Sequence, residues 1–245
     1  MATLTLTPKG TTKPATAPVE IVEESSELVT TQSAALAAPV KISSSGIEGE
    51  ITTADVNTPR VNLVQKSGQL VDNFSPGSFL LVKEVVLAKP NESFKFTPLR
   101  LKKYYQLKVE FGTSQDMPPK FNTMQEVIDF GGSLQYGDEK YCVEMADILM
   151  AVEAPEGADD QLFPYSDGTN NYALALYTVG SSSYTSLAKR LITDSVGLLR
   201  NGLYTGCYEI HSELRKNAVN SWYVPVAKFI GKHEDPEFFK NIAGL

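Results

Sequence analysis

Short apolar runs rich in β-branched residues, each bounded by turn residues, recur along the chain from about residue 58 to residue 230. Such runs are typical of β-strands, whereas helices require apolar residues spaced three and four apart. The runs are Arg60–Gln65, Phe79–Ala88, Phe94–Phe111, Lys140–Glu153, Tyr172–Val179, Leu203–Leu214 and Trp222–Ile230. We therefore predict a single β-rich domain, all-β or α+β, over residues 58–245.

Two or three short segments show helical spacing instead. Residues Thr123–Phe130 begin at a capping residue and end at two glycines, Ser182–Thr193 carries apolar residues on one face, and Asp235–Leu245 reads as a short terminal helix. A helix between the third and fourth strands is the connectivity of the OB-fold, a five-stranded barrel. We expect an expanded OB-like barrel, although a β-sandwich with peripheral helices would give the same order of elements.

The first fifty residues differ from the rest. They are rich in Thr, Ser, Ala, Pro and Glu and contain no Phe, Tyr or Trp. Such a segment cannot bury enough apolar surface to offset the entropy lost on ordering. We predict that residues 1–50 form a disordered, low-complexity tail.

Charge and cysteine content restrict the function. The net charge is -7, and the first fifty residues, with three lysines and six glutamates, carry part of it. This acidity argues against coating duplex DNA by bulk positive charge but is compatible with a local basic surface. Cys142 and Cys207 are too few for a disulfide framework, and neither they nor His211 and His233 have metal-ligand spacing. We expect buried free thiols, no metal and no cofactor.

Targeting and catalytic signals are also missing from the sequence. We see no signal peptide and no apolar run of the roughly 18 residues that a membrane span needs. We therefore expect a cytoplasmic protein, in the host cytoplasm if it is viral. There is no G-x-S-x-G elbow, Walker A loop or dinucleotide fingerprint, so we predict that the chain is not an enzyme. A metal-dependent nuclease is a weaker rival, because the acids Glu144, Asp147, Asp159 and Asp160 show no convergent pattern.

The segment Leu99–Phe111 is the most informative for function. Side chains alternate along a strand, so one face is predicted to be apolar except for one lysine: Leu99, Leu101, Lys103, Tyr105, Leu107, Val109 and Phe111. The other face carries Arg100, Lys102, Tyr104, Gln106, Lys108 and Glu110. Cations for phosphates and a ring for stacking are what a single-strand binder uses. The alternative is an ordinary solvated strand face whose lysines prevent edge pairing.

Four further residues are candidates to assist Arg100, Lys102, Tyr104 and Lys108. They are Lys103 on the same strand, Lys189 and Arg190 on the predicted helix, and Trp222 at the start of the last long strand. Three of them also have an ordinary interpretation: a solvated helix face for the two helical cations, and core packing or an incidental surface aromatic for the tryptophan.

Several stretches resemble those of tailed-bacteriophage single-stranded DNA-binding proteins: Pro59–Lys66, Phe74–Phe79, Phe96–Tyr104 and Tyr223–Pro225. The resemblance covers residues 58–230 and implies an OB-type fold, single-stranded DNA as ligand, and phage replication or recombination proteins as partners. The chain departs from that pattern because it has neither an acidic C-terminal tail nor a cysteine-rich zinc insertion. We predict sequence-tolerant single-stranded DNA binding; the alternative is a virion structural or assembly protein that makes only protein contacts.

Overall fold

The computed structural model describes residues 58–109 and 117–244, so the predicted tail lies outside the described residues. Ten strands are formed there: β1 Val61–Leu63, β2 Phe79–Leu81, β3 Val85–Ala88, β4 Ser93–Leu107, β5 Lys120–Phe121, β6 Cys142–Glu153, β7 Tyr165–Ser166, β8 Asn171–Gly180, β9 Gly206–Lys216 and β10 Ser221–Lys232. The helices are α1 Met124–Asp129, α2 Ser181–Ser183, α3 Lys189–Gly197 and α4 Glu237–Ile242. A π-helical segment, Tyr184–Ala188, joins α2 to α3. None of the helices in the described ranges combines the length and apolarity needed to cross a bilayer.

The strands form two antiparallel sheets, which confirms the β-rich prediction. The larger sheet has the order β10-β9-β4-β6-β8-β7, with β5 paired to β4, and the smaller has the order β1-β2-β3. Strands β10 and β7 lie at opposite ends of the larger sheet, and no pairing between them is found in the described residues. The sheet is therefore open, and the predicted OB-like barrel is not closed.

The smaller sheet lies against the larger one and contacts strands near both of its edges, β8 and β10. At one end Arg60 forms a parallel bridge with Leu176 of β8. At the other, the side chain of Gln65 exchanges two hydrogen bonds, of 3.0 and 2.9 Å, with the backbone of Tyr223 in β10. The main core fills the space between the two sheets and the helical residues 181–197, and includes Phe79, Phe96, Ile148, Tyr184, Leu187 and Tyr208.

Most predicted elements are present, and one strand prediction is wrong. Residues Phe79–Ala88 form the hairpin β2–β3 because Val82 and Lys83 adopt positive φ angles of 49° and 67°. Neither residue type signals such a turn, which usually uses Asn, Asp or Gly. Helix α1 begins where the sequence predicts, since the Thr123 hydroxyl accepts a hydrogen bond from the backbone N–H of Glu126.

A bulge in β4 changes which side chains share a face. The pairing with β6 shifts between Pro98 and Arg100, so that one extra residue is inserted in β4. Leu99 then packs with Ala151 and Phe239 in a second, smaller apolar cluster, whereas Leu101 packs against the main core. The predicted alternation, which placed Leu99 and Leu101 together, therefore fails at the bulge and holds from Arg100 onward. We call the side of the larger sheet opposite the main core the outer face.

Candidate nucleic-acid interface

Tyr104 lies on the outer face, but its ring is buried. Only 4% of the residue is exposed, and its hydroxyl donates to Oδ1 of Asp147 at 3.4 Å. The Thr178 hydroxyl donates to the same oxygen at 2.6 Å. Burial, together with the neighbouring Asp147 charge, raises the pKa of Tyr104 to about 12. The ring supports the sheet and cannot stack on a base, so the predicted stacking role of Tyr104 fails in this geometry.

Three cations from three separate segments surround Tyr104. Lys102 precedes it by two residues on β4 and is opposite Asp147 in the ladder. The ammonium of Lys120 on β5 lies 5.1 Å from the centre of the Tyr104 ring. Arg60 is positioned by its bridge to β8. It lies close enough to Tyr104 that its positive charge acts to lower the pKa of Tyr104, whereas the negative charge of Asp147 acts to raise it. Within the described residues, none of these cations forms an ion pair.

We define the outer basic face as Arg60, Lys102 and Lys120 around Tyr104 and Asp147. Sequence reasoning found Lys102 but missed Arg60 and Lys120. Neither carries a local signal, because each reaches the face through a tertiary pairing: Arg60 beside Leu176, and Lys120 opposite Gln106. A set of cations drawn from separate elements is visible only once the strand order is known.

Arg100 lies at the border of this face and is bound by the end of the chain. Its Nη2 donates to the backbone oxygen of Gly244 at 2.9 Å. Its Nε is buried and has no hydrogen-bond partner in the part of the chain that the structure describes. Phe239 of helix α4 and Ala243, which follows the helix, cover the neighbouring surface. Arg100 is thus positioned as a residue of the α4 contact rather than as a free cation.

Lys108 follows the end of β4 and is exposed. Its backbone N–H donates to the oxygen of Tyr141 at 2.8 Å, which extends the contact with the residues before β6. The predicted neighbours Glu110 and Phe111 lie outside the described residues.

Lys103 and Lys189 lie on the other side of the sheet and share one carboxylate. Their ammonium groups lie 2.8 and 3.4 Å from the two oxygens of Glu144. Both also lie 5.7 Å from the ring centre of Tyr184. Burial acts to lower the pKa of Lys103, but the hydrogen bonds to Glu144 and Tyr105, together with the nearby Glu144 and Tyr184 charges, outweigh it and raise that pKa. These lysines are satisfied within the protein, unlike the cations of the outer basic face.

Arg190 and Trp222 also have structural partners. The Arg190 Nε lies 2.8 Å from Oδ2 of Asp194, a buried carboxylate that also accepts from the Tyr208 hydroxyl at 3.2 Å. The Trp222 indole N–H donates to the Ser182 hydroxyl at 2.9 Å, which joins β10 to α2. The predicted site residues therefore fall into two groups on opposite sides of the larger sheet.

A cavity of about 240 Å³ is lined by Thr97, Asp167, Cys207 and His233, among others. The Thr97 hydroxyl and Nε2 of His233 are 2.7 Å apart. Asp167 is engaged by the Tyr172 hydroxyl at 2.8 Å and by two backbone N–H groups. Burial raises the pKa of the Cys207 thiol, which disfavours the nucleophilic thiolate.

No cluster of three or more His, Cys, Asp or Glu side chains suited to a metal ion is found within the described ranges. Comparisons of the chain with protein-family models, with curated proteins and with solved structures find no match.

Proposed function

We propose that this protein binds single-stranded DNA without sequence preference through the outer basic face, and that it acts in phage DNA replication or recombination. The observation that carries the proposal is the arrangement of Arg60, Lys102 and Lys120, three cations without a described ion-pair partner, on a protein of net charge -7. Cations that have no internal partner are available to phosphates.

The geometry favours backbone contacts over base stacking. The ring at the centre of the face is covered, so the face offers charge and the partly exposed apolar side chains of Leu149 and Leu176. Phosphate contacts carry no sequence information, which fits sequence-tolerant binding. The acidic remainder of the protein disfavours nucleic acid at other surfaces.

Titration of a fluorescent oligo-dT and of a matched duplex, at low salt, tests the proposal. We expect the oligo-dT to bind more tightly than the duplex, and the triple variant Arg60→Ala, Lys102→Ala, Lys120→Ala to lose about tenfold or more in affinity. The matched control is Lys83→Ala, Lys89→Ala, Lys228→Ala, which removes the same charge from exposed positions elsewhere. An equal loss in the two triple variants would mean that net charge, not this face, governs binding.

One observation favours the second candidate, a virion structural or assembly protein. Large apolar side chains are exposed close together in sequence around α1: Met117 at 88%, Tyr136 at 87% and Ile128 at 54%. Exposed apolar surface of this kind often marks protein contacts. Size-exclusion chromatography with light scattering distinguishes the candidates, since a large closed assembly that does not bind oligo-dT would favour the structural role.

A further inference from the structure

A second cleft lies away from the outer basic face, where α3 ends and β10 ends. It has a volume of about 370 Å³. Its walls are formed by the last residue of α3 and the four residues after it, by Thr205, and by the last residue of β10 with the residue that follows: Gly197, Leu198, Leu199, Arg200, Asn201, Thr205, Lys232 and His233. The volume falls within the range of roughly 300–1,000 Å³ that is typical of small-molecule sites.

The charged side chains of this cleft are all basic. Arg200 and Lys232 are exposed, and within the described ranges neither forms an ion pair. No carboxylate lines the cleft, and the next two residues, Glu234 and Asp235, are exposed outside its lining. Asn201 adds an amide that can donate and accept. Two cations beside a histidine and an amide are a donor set suited to an anion.

His233 is held in place by three contacts. Its ring stacks on Phe239 with centroids 4.0 Å apart, its Nε2 is 2.7 Å from the Thr97 hydroxyl, and its backbone N–H donates to Thr205 at 3.0 Å. No partner for Nδ1 is found among the described residues. The cleft therefore combines the fixed imidazole ring of His233 with the long, flexible side chains of Arg200 and Lys232.

We propose that this cleft binds the phosphate monoester of a nucleotide, with Arg200 and Lys232 contacting the phosphate oxygens and His233 and Asn201 completing the set of donors. The volume exceeds what a phosphate alone needs and leaves room for an attached sugar. Two sources supply this chemistry: a free mononucleotide, or the terminal phosphate of a DNA strand. The proposal goes beyond single-strand binding and does not depend on the outer basic face.

The position of Arg200 has a competing explanation. Cations just after a helix stabilise its C-terminal dipole, and Arg200 follows α3 by three residues. Some of the carbonyl groups there are already satisfied, because the Asp194 oxygen accepts from Leu198 and Leu199 and the Leu199 oxygen accepts from Gly202. A purely structural role predicts loss of thermal stability without any change in phosphate binding.

Isothermal titration calorimetry of the full chain with dTMP, and with thymidine as the phosphate-free control, tests the proposal. We expect dTMP to bind and thymidine not to bind. The double variant Arg200→Ala, Lys232→Ala should weaken dTMP binding about tenfold or more, while Lys216→Ala, Lys228→Ala should leave it unchanged. Absence of dTMP binding by the wild-type chain, or equal binding by the Arg200, Lys232 double variant, would overturn the proposal. Melting temperatures in chloride buffer establish that each variant is folded.

Oligo-dT with and without a 5′-phosphate then separates the two sources. The outer-face triple variant is used, so that binding through Arg60, Lys102 and Lys120 does not mask the result. Tighter binding of the phosphorylated strand assigns the cleft to strand ends, and dTMP binding without that difference assigns it to free nucleotides; both outcomes support a phosphate site. If unphosphorylated oligo-dT does not bind the wild-type chain, the proposed single-strand function is refuted, whereas the proposed phosphate site is not.

Discussion

Asp147 places a negative charge at the centre of the outer basic face. Its carboxylate accepts from Thr178 and Tyr104, and Lys102 lies opposite it in the ladder. On the other side of the sheet, Glu144 plays the same role for Lys103 and Lys189. Asp147 therefore reduces the positive potential of the outer basic face, and Glu144 reduces that of Lys103 and Lys189. Neutralising one acid at a time tests which of the two surfaces binds DNA.

Removing the charge of Asp147 should strengthen DNA binding. The variant Asp147→Asn keeps an acceptor for Thr178 and removes one repulsive charge, which we expect to raise oligo-dT affinity about threefold at low salt. Glu144→Gln is the matched variant on the opposite side and should leave affinity unchanged. Fluorescence titration checks both. If Glu144→Gln raised affinity and Asp147→Asn did not, the binding surface would be that of Lys103 and Lys189.

Only part of the outer basic face can be predicted from the sequence. The pattern of Arg100, Lys102 and Lys108 on one strand is visible because alternation follows from strand geometry. It cannot show that Tyr104 is covered, since its burial depends on Lys120 and on the neighbouring strands. Nor can it show that Lys103 and Lys189 share a carboxylate, because Glu144 reaches them by tertiary contact. The pair of Arg190 and Asp194 is different, since the two residues are four apart on one helix and their contact is local.

His233 predicts how stability depends on pH. Burial lowers the pKa of His233 below its ordinary value of 6.5, and the nearby Asp167 only partly opposes this. The folded state therefore binds fewer protons than the unfolded state, and stability is lost as the pH falls from about 7 through 6.5 toward the folded pKa. We expect the melting temperature to fall over this window. His233→Gln should show a smaller fall, and an unchanged pH dependence in that variant would assign the effect to other groups.

At the scale of elements, the strands and helices were largely predictable, whereas the hairpin turn inside Phe79–Ala88 and the strand order were not. Alternating apolar runs locate β4, β6, β8, β9 and β10 because each buries one face against the main core. The turn at Val82–Lys83 was missed, since neither residue is the glycine or asparagine that usually marks such a turn. The bulge at Pro98–Arg100 has a sequence signal, because a proline inside a strand indicates a bend or bulge. Open versus closed sheet geometry depends on pairing between distant strands, which local patterns do not encode.

Helix α4 should owe its stability to one side chain. It has only six residues, too few for a helix to be stable by itself in water. Phe239 is 2% exposed and packs against Tyr172 and His233, with ring centroids 5.2 and 4.0 Å away. We expect Phe239→Ala to lower the free energy of unfolding by about 3 kcal/mol.

Chemical denaturation measures that loss, and Phe238→Ala is the control. Phe238 is adjacent but only half-buried, so its removal should cost clearly less. Hydrogen exchange should also show loss of protection at α4 in Phe239→Ala while β6 remains protected. Equal costs for the two variants would contradict the assignment of Phe239 as the anchor of this helix.

At the scale of the whole molecule, a basic face on an acidic protein has consequences for binding. The net charge of -7 repels nucleic acid at a distance, whereas Arg60, Lys102 and Lys120 are proposed to attract phosphates at short range. Salt screens both effects, with a Debye length of about 8 Å at physiological ionic strength. Close phosphate contacts release counterions from the strand, so the salt dependence of the affinity reports how many contacts are made.

Three phosphate contacts predict a slope of about -2 for the logarithm of oligo-dT affinity against the logarithm of salt concentration, since each contact on a single strand contributes about -0.7. The triple variant of Arg60, Lys102 and Lys120 should have a slope near zero, because these cations supply the contacts in the proposed function. The control triple variant of Lys83, Lys89 and Lys228 should keep the wild-type slope, since those residues lie elsewhere. Titrations at several salt concentrations between about 0.05 and 0.2 M cover a range in which such slopes are measurable. A wild-type slope that the outer-face triple variant leaves unchanged would show that phosphates are bound at another surface.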